Sequence, residues 1–399
     1  MMKILVLMHR PLRSLASGAA RVIHDTYAGL TEHGHTVLLV SLSRKGSNSS
    51  TDINGFQYID LKEDTLTRAI LLPFRMLTAA SREGLSFLQL SIMPKIYEKI
   101  PKTVNKVSKI AKKFEPDAVI SELIYTGLLA NYISTKTGAK FLIRAHNIET
   151  EYLSILAPQP THIFLKPLIH PLEQKILSLP SKVITLSYRD AYLLNKLYNV
   201  NTEFLNVPLQ KPPDEEAREE DIKKLGLEPH DYILFVGLLH KPNIIILKAL
   251  LKAAKYLESK STLTIAVAGS VSTAVPKSKP SNIKVIGKVS SQVLHSLYTY
   301  AEVSIAPIFR GSGIAIKLVE SLIYGLPTIT THKALLMLPG LKHGENIYVT
   351  KDEKSFARDI QTLAEDTQLR EALRKGAKKF SFKNLDYHSI LRRYELALQ

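Results

Sequence analysis

Residues able to bind an anion are concentrated in one segment, residues 301–331, which reads AEVSIAPIFRGSGIAIKLVESLIYGLPTITT. An apolar run typical of a buried strand precedes Gly311 and Gly313, and residues 316–322 have the apolar spacing of a helix. Glycine lets the backbone approach a phosphate closely, and the N–H groups at a helix start carry positive potential. The segment therefore predicts a phosphate-binding loop between a strand and a helix.

Charged side chains flank this loop. Arg310 and Lys317 supply cations, and Glu320 follows Gly313 by seven positions, which predicts a place two turns into the helix on the face of the loop. A carboxylate there can accept hydrogen bonds from the hydroxyl groups of a sugar. From these residues alone the alternative is an ordinary β-loop-α unit with a solvated glutamate, because Gly-Ser-Gly occurs in many turns.

The run GSGIAIKLVESLIYGLPTITT resembles the donor-binding signature of retaining GT-B glycosyltransferases, particularly family 4, the glycosyl transferases group 1. Members often read G-[GS]-G-T-R-x-K-x-x-E-A-x-x-x-G-x-P-V-[VI]-x-T, and the matching positions are Gly311, Gly313, Lys317, Glu320, Gly325, Pro327 and Thr330 or Thr331. The resemblance implies that Glu320 contacts the ribose of a nucleotide-sugar donor. It also implies that the loop residues bind the donor, namely Ser312, Gly313, Ile314, Ala315 and Ile316.

Two positions depart from the family pattern. Ile314-Ala315 stands where the family has Thr-Arg, and Ser312 stands where it has the first glutamate of a Glu-x7-Glu pair. In the family that first glutamate holds hydroxyl groups of the sugar. The resemblance therefore leaves recognition of the sugar unassigned.

A second match lies upstream, where LFVGLLHKPN over residues 234–243 resembles the F-V-G and P-N run that begins the family's C-terminal domain. The match implies that Gly237 and Lys241 bind the donor. Leu238 occupies the usual position of an arginine that grips the diphosphate. Lys241 and Lys317 are the candidates to replace it.

A third cluster is FLIRAHNIETEY over residues 141–152, in which a strand ends in Arg144, His146, Asn147 and Glu149. Open α/β sheets bind ligands outside the carboxyl ends of their strands. The cluster resembles an R-x-H-N-x-E signature of some family 4 members, which implies that His146 approaches the donor sugar and that Arg144 binds the donor. The alternative is that these side chains cap the next helix.

The order of elements predicts an α/β protein with two Rossmann-like halves. KILVLMH, a loop around Ser17-Gly18 and a helix open a βαβ unit, and the βα alternation restarts after a proline-rich break near residue 208. The resemblance implies a GT-B fold whose domains face each other across a cleft, with Gly18 near the donor phosphates. The predicted parts are an acceptor domain (1–207), a donor domain (208–383) and a terminal helix that crosses back (384–399).

Composition limits the class of protein. The chain has 399 residues, 45% of them hydrophobic and 22% charged, which suits a globular protein with two cores. The absence of cysteine excludes disulfides and thiol catalysis. The first apolar run is too short for a secretory signal, so we expect a cytoplasmic protein. The net charge of +17 predicts a polyanionic partner, and no nucleic-acid-binding motif is recognisable.

A stripe of lysines lies in the first half of the chain. At helical spacing the lysines share one face and the apolar residues another, and Pro101 predicts a kink or a helix start. One interpretation is the solvated face of a Rossmann helix; the other is a surface that rests on anionic lipid at the inner face of the membrane, assisted by residues 69–93. Arg75, Arg82 and Glu83 argue against a membrane-spanning helix in that stretch. The lysines are Lys95, Lys99, Lys102, Lys106, Lys109 and Lys113.

The resemblance implies transfer of a sugar from a nucleotide-diphosphate sugar to a glycan or lipid-linked acceptor, with retention at the anomeric carbon, in envelope or polysaccharide synthesis. We expect His146, Lys317 and Arg310 to be catalytic, with no metal and no cofactor, because cations and helix amides can stabilise the departing diphosphate. The alternatives are a GT-B nucleotide-sugar epimerase and a non-catalytic nucleotide-sugar-binding or scaffold protein.

Overall fold

The computed structural model describes residues 1–9, 11–12, 18–43, 46, 50–53, 55–62, 101–156, 161–259 and 264–399. The chain forms two compact units. The first unit contains residues 1–208, 312–314 and 388–399, and the second contains residues 209–311 and 315–387. No helix of the described residues is long and apolar enough to cross a lipid bilayer.

The first unit is a Rossmann-like layer of strands and helices. Its first part contains β1 (Lys3–Met8), α1 (Gly18–Glu32), β2 (Thr36–Ser43), β3 (Ser50–Ile53), β4 (Phe56–Lys62), α2 (Pro101–Phe114), β5 (Ala118–Glu122) and α3 (Gly127–Thr137). Its second part contains β6 (Lys140–Ala145), α4 (Glu149–Leu156), α5 (Thr161–Leu177), β7 (Lys182–Thr185), α6 (Tyr188–Tyr198) and β8 (Thr202–Phe204).

These strands form one sheet in the order β3-β4-β2-β1-β5-β6-β7-β8. All neighbours are parallel except β3 and β4. Residues 4–7 of β1 have no exposed surface, because helices cover both faces of a parallel sheet and its central strands are continuous apolar runs. The strand order reverses between β1 and β5, which marks the ligand-binding edge of such a sheet.

The second unit repeats the same construction. It contains α7 (Glu219–Lys224), β9 (Tyr232–Val236), α8 (Lys241–Leu257), β10 (Thr264–Ala268), β11 (Ile283–Gly287), α9 (Ser291–Thr299), β12 (Val303–Ile305) and α10 (Ile316–Ile323). It continues with β13 (Thr328–Thr331), α11 (His332–Met337), β14 (Tyr348–Thr350), α12 (Phe356–Glu365) and α13 (Thr367–Asn384). The last helix, α14 (Tyr387–Leu398), belongs to the first unit from residue 388 onward. The parallel sheet has the order β11-β10-β9-β12-β13-β14, so its reversal lies between β9 and β12.

The predicted fold class, α/β with two parallel-sheet domains, is confirmed. The structure corrects two local predictions. Gly18 is the first residue of α1 and not part of a loop. Glu320 lies one turn into α10, because the segment after Gly313 stays extended as far as Ala315 and the helix begins only at Ile316.

The lysine stripe is helical where it is described. The helix α2 begins at Pro101, which suits the first turn because proline lacks the N–H that would be unpaired there. Val104, Val107 and Ala111 are buried. The side chains of Lys102, Lys106, Lys109 and Lys113 are exposed. Lys95, Lys99 and residues 69–93 lie outside the described residues.

Candidate functional site

The second unit brings two loops together at the reversal of its strand order. The first loop runs from the end of β9 through Gly237 to the start of α8 at Lys241. The second runs from the end of β12 to the start of α10 at Ile316. Because β9 and β12 are adjacent and parallel, both strands end at the same edge of the sheet. The positive ends of two helices are therefore directed toward one edge.

Glycine is required in the first loop by close packing. A Cβ atom on Gly269 would lie 2.3 Å from the carbonyl oxygen of Gly237, and Gly269 has a φ of +87°. A Cβ atom on Gly237 would lie 2.9 Å from Nδ2 of Asn243. Gly269 allows the end of β10 to approach Gly237, and Gly237 allows the first loop to approach Asn243 in α8.

The predicted cation Lys317 is directed to this loop. Its ammonium group donates a hydrogen bond to Oδ1 of Asn243 and lies 4.8 Å from the centroid of the Phe235 ring. Burial lowers the pKa of Lys317 to about 7, although the charge of Glu320 acts in the opposite direction. A buried amine of this kind gains a full charge when an anion arrives.

The sequence analysis missed His240. Its imidazole accepts a hydrogen bond of 3.4 Å from the backbone N–H of Asn243 and so caps the start of α8. Burial lowers the pKa of His240, and the positive charge of Lys317 lowers it further. The amine, the imidazole and the helix N-terminus lie at one loop, where burial disfavours the protonated forms of both side chains. Such a site favours an anionic ligand.

Glu320 is buried in α10, 8% exposed, and accepts a hydrogen bond of 2.9 Å from the hydroxyl group of Tyr298. The solvated glutamate considered above is therefore not what the structure has. A buried carboxylate held in one orientation by a hydrogen-bond donor is suited to bind a hydroxyl group.

The remaining cations of this unit differ in their surroundings. Arg310 is exposed at the end of the β12 loop, and Lys241 is the first residue of α8. Lys333 in α11, which the sequence analysis did not select, donates a hydrogen bond to the carbonyl oxygen of Gly311. Arg310 and Lys317 thus flank the loop before α10 in the sequence, and Lys333 contacts it through Gly311.

The residues Ser312, Gly313 and Ile314 belong to the first unit. The backbone N–H of Gly313 donates a hydrogen bond of 2.6 Å to the carboxylate of Asp190, and a Cβ atom on Gly313 would lie 2.4 Å from the carbonyl oxygen of His146. Burial raises the pKa of Asp190 to about 6, although the bond from Gly313 lowers it. Ala315 caps α10 and Ile316 is its first residue.

The first unit has its own polar cluster at the reversal of its strand order. Glu122 is the last residue of β5 and 1% exposed. One of its oxygens lies 2.6 Å from Nε2 of His146, and the other accepts hydrogen bonds of 3.0 Å from Arg144 and 2.5 Å from the hydroxyl of Tyr27. Burial raises the pKa of Glu122, but Arg144 and His146 outweigh it and the pKa falls to about 2.

Arg144 holds the carboxylate of Glu122 in place. Its guanidinium group is buried, donates a second hydrogen bond of 2.8 Å to Thr26, and lies 5.2 Å from the centroid of the Tyr394 ring. The neighbouring carboxylate and tyrosines outweigh burial and raise the pKa of Arg144. Arg144 therefore fixes Glu122, and Glu122 in turn orients the imidazole of His146.

The alternative interpretation, that side chains of the Arg144-to-Glu149 segment cap the next helix, is replaced in the structure by a cap from Glu173. Glu149 begins α4, and its backbone N–H donates a hydrogen bond of 2.6 Å to the buried carboxylate of Glu173. Its side chain accepts a bond of 2.5 Å from Tyr125. The segment thus combines a capped helix start with the Glu122–His146 pair. The described residues contain no group of three His, Cys, Asp or Glu side chains placed to hold a metal ion.

Comparison with known proteins follows this geometry. Residues 230–366 match the family of glycosyl transferases group 1. No curated protein sequence matches the chain significantly. Sucrose-phosphate synthase from Thermosynechococcus elongatus is similar in structure over 100% of this chain and 98% of its own, with a TM-score of 0.77 and 14% identity.

Two other solved structures show the same similarity. HepE from Anabaena in complex with UDP-glucose covers 100% of this chain and 99% of its own, with a TM-score of 0.68 and 14% identity. Trehalose-6-phosphate synthase OtsA covers 99% of this chain and 98% of its own, with a TM-score of 0.66 and 10% identity. The chain therefore has the GT-B fold, and the part of its second unit over residues 230–366 is similar to the glycosyl transferases group 1.

Proposed function

We propose that this protein is a retaining glycosyltransferase that moves a sugar from a nucleotide-diphosphate sugar to a glycan or lipid-linked acceptor in envelope or polysaccharide synthesis. The observation that carries the proposal is the partly buried amine of Lys317 at the edge where α8 and α10 begin. The bound UDP-glucose of HepE, a protein of the same fold, supports this class of donor.

The diphosphate of the donor occupies the anion-binding site of the second unit. Backbone amides at the starts of α8 and α10 face it, and Lys317 and Arg310 neutralise the charge that develops as the diphosphate departs. Glu320 accepts hydrogen bonds from the ribose. These contacts bring cationic stabilisation to the leaving group without requiring a metal ion.

His146 positions the donor sugar. The carboxylate of Glu122 in turn holds the imidazole ring of His146. In the transfer step the bond between the anomeric carbon and the diphosphate oxygen breaks, and the acceptor oxygen bonds to that carbon on the same face. The acceptor proton moves to the departing phosphate oxygen. This front-face course requires no protein nucleophile, and the contacts made in the transition state supply the rate enhancement.

A panel of nucleotide sugars tests the proposal. We expect hydrolysis or transfer with one donor, followed by the release of its nucleoside diphosphate, and NMR of the product should show the anomeric configuration of the donor. Interconversion of the sugar without release would instead identify an epimerase. Binding without turnover would identify a non-catalytic protein.

The Glu320→Gln variant is expected to bind the donor nucleoside diphosphate about 10–100-fold more weakly, because a hydrogen bond to a charged acceptor is lost at the ribose. Isothermal titration with UDP, GDP and ADP measures the change. Glu302→Ala is the matched control, since this carboxylate of the same unit pairs with Arg370 and Arg374. Equal affinity of Glu320→Gln and the parent would refute the ribose assignment.

We also propose that the exposed lysines of α2 bind an anionic membrane surface, where a lipid-linked acceptor would be found. The described lysines share one face of the helix while its apolar residues enter the core. Each lysine near an anionic surface contributes about 1 kcal/mol. The face is suited to peripheral binding.

Charge reversal at Lys102, Lys106, Lys109 and Lys113 is expected to weaken binding to phosphatidylserine-containing vesicles by about 100-fold or more, and the parent should not bind neutral vesicles. Vesicle flotation measures both. The matched control reverses four exposed lysines on α13, namely Lys375, Lys378, Lys379 and Lys383. Equal losses in the two variants would indicate a general charge effect, and no binding by the parent would exclude a membrane role.

A further inference from the structure

The environment of Glu320 contains a feature that its role as a hydrogen-bond acceptor does not explain. The hydroxyl of Tyr298, a residue of α9, donates to the Glu320 carboxylate at 2.9 Å. Tyr298 is 1% exposed, so this hydroxyl does not exchange its partner with water. A buried hydroxyl must find an acceptor, and here it has one that carries a charge.

The ring of Tyr298 is itself fixed. It stacks on the ring of Tyr324, with the centroids 5.0 Å apart and the planes inclined by 19°. Tyr324 follows directly after α10, whereas Tyr298 belongs to α9. The stack therefore joins the end of the helix that carries Glu320 to a different element of the same unit, and it restricts the orientation of the Tyr298 ring.

Two further side chains hold Tyr324. Nε2 of His295 lies 2.9 Å from the carbonyl oxygen of Pro213, and Nδ1 lies 2.8 Å from the Tyr324 hydroxyl. A carbonyl oxygen only accepts, so Nε2 carries the proton, and in the neutral ring Nδ1 accepts from Tyr324. The ammonium group of Lys211 lies 5.1 Å from the centroid of the Tyr324 ring. The stacked ring is thus fixed by a hydrogen bond and a cation–π contact.

A carboxylate that receives ribose hydroxyl groups must have its plane set before the ligand arrives, because a misplacement of about 0.5 Å or 10–20° loses much of a hydrogen bond's value. A rigid hydrogen-bond donor to one carboxylate oxygen, here the hydroxyl of Tyr298, fixes this plane.

We propose that Tyr298 is a positioning residue that sets Glu320 for the ribose of the donor, and that through Glu320 it makes the site prefer ribonucleotides over nucleotides that lack the 2′ and 3′ hydroxyl groups. This inference rests on the proposed function. Tyr298 does not touch the ligand; it acts through the carboxylate.

The test compares UDP, GDP and ADP with their 2′,3′-dideoxy counterparts by isothermal titration. Tyr298→Phe keeps the stacked ring and removes only the donor. We expect the best ribonucleotide to bind about tenfold more weakly to this variant, and its dideoxy counterpart to bind within twofold of the parent. In the Glu320→Gln background, Tyr298→Phe should cause no further loss, because the two residues act as one unit.

Tyr232→Phe is the matched control. Tyr232 is fully buried in β9, and its hydroxyl donates at 2.6 Å to the carbonyl oxygen of Leu297, so the variant removes a similar buried bond without touching Glu320. If Tyr298→Phe weakened the binding of the ribonucleotide and of the dideoxynucleotide equally, Tyr298 would contribute to packing only and the inference would be overturned. Unchanged affinity for the ribonucleotide would overturn it as well. A parent that binds none of the nucleotides would reject the proposed function itself, and this role with it.

Discussion

The Lys317→Met variant is expected to lose about 10²–10³-fold in kcat with the nucleotide-sugar donor and to unfold at a higher temperature than the parent. The loss follows because a cation aimed at the developing charge of a leaving group stabilises the transition state by several kcal/mol. The stability gain follows because burial lowers the pKa of this amine to about 7, and methionine fills the same space without a charge to desolvate.

The pH dependence of the two effects distinguishes them. The folded pKa of Lys317, about 7, lies below the unfolded value near 10.4, so the unfolded state binds more protons between these values and the parent gains stability as the pH rises. The advantage of Lys317→Met should therefore be greatest below pH 7. Diphosphate affinity of the parent should fall above pH 7, by up to about tenfold per pH unit, as proton uptake begins to accompany binding.

Thermal unfolding and donor titrations from pH 6 to pH 9 measure these effects. Lys252→Met is the matched control, because Lys252 is an exposed lysine of α8. We expect that variant to keep both the activity and the pH dependence of the parent. A Lys317→Met variant with unchanged kcat would remove Lys317 from the leaving-group contacts, whatever its stability.

The Glu122→Ala variant is expected to lose about 3–5 kcal/mol of unfolding free energy, because it leaves the Arg144 guanidinium buried without its carboxylate. It should also lower activity, since His146 loses the partner that orients its ring. Because the folded pKa of Glu122 is about 2, its contribution is present above about pH 4.3, the unfolded value, and is lost as the pH falls through 2.

Urea unfolding followed by circular dichroism measures this change, since the chain has no tryptophan. Glu151→Ala is the matched control: Glu151 pairs with Arg189 in the same unit but is partly exposed, and its removal should cost about 1 kcal/mol or less. The double variant Glu122→Ala with Arg144→Met should recover part of the stability, because no charge then remains unpaired. A similar cost for Glu122→Ala and Glu151→Ala would contradict the buried network.

Several elements of the candidate site follow from local sequence patterns. The apolar run before Gly311 and the spacing of residues 316–322 predict a strand, a loop and a helix, and β12 and α10 confirm them. Pro101 predicts a kink or a helix start, and within the described residues α2 begins at Pro101. These signals are local, because glycine, proline and apolar periodicity act on the backbone within a few residues.

Contacts between distant residues required the folded chain. Glu122 and Arg144 are 22 positions apart, as are Tyr298 and Glu320, and each pair forms only because separate elements pack together. His240 shows no distinctive local pattern; its role depends on the place where α8 begins beside Lys317.

The sequence by itself determined the α/β class, the two series of alternating strands and helices, and the strand, loop and helix that carry Lys317 and Glu320, because each depends on backbone preferences that neighbouring residues express. Only the tertiary structure decided which side chains support them. It placed Glu122 in hydrogen-bonding contact with His146, and Tyr298 in hydrogen-bonding contact with Glu320. Strand order and helix packing bring together residues that no sequence spacing connects. Burial then lowered the pKa of Lys317, because packing of the folded chain around the start of α10 removes water from that amine.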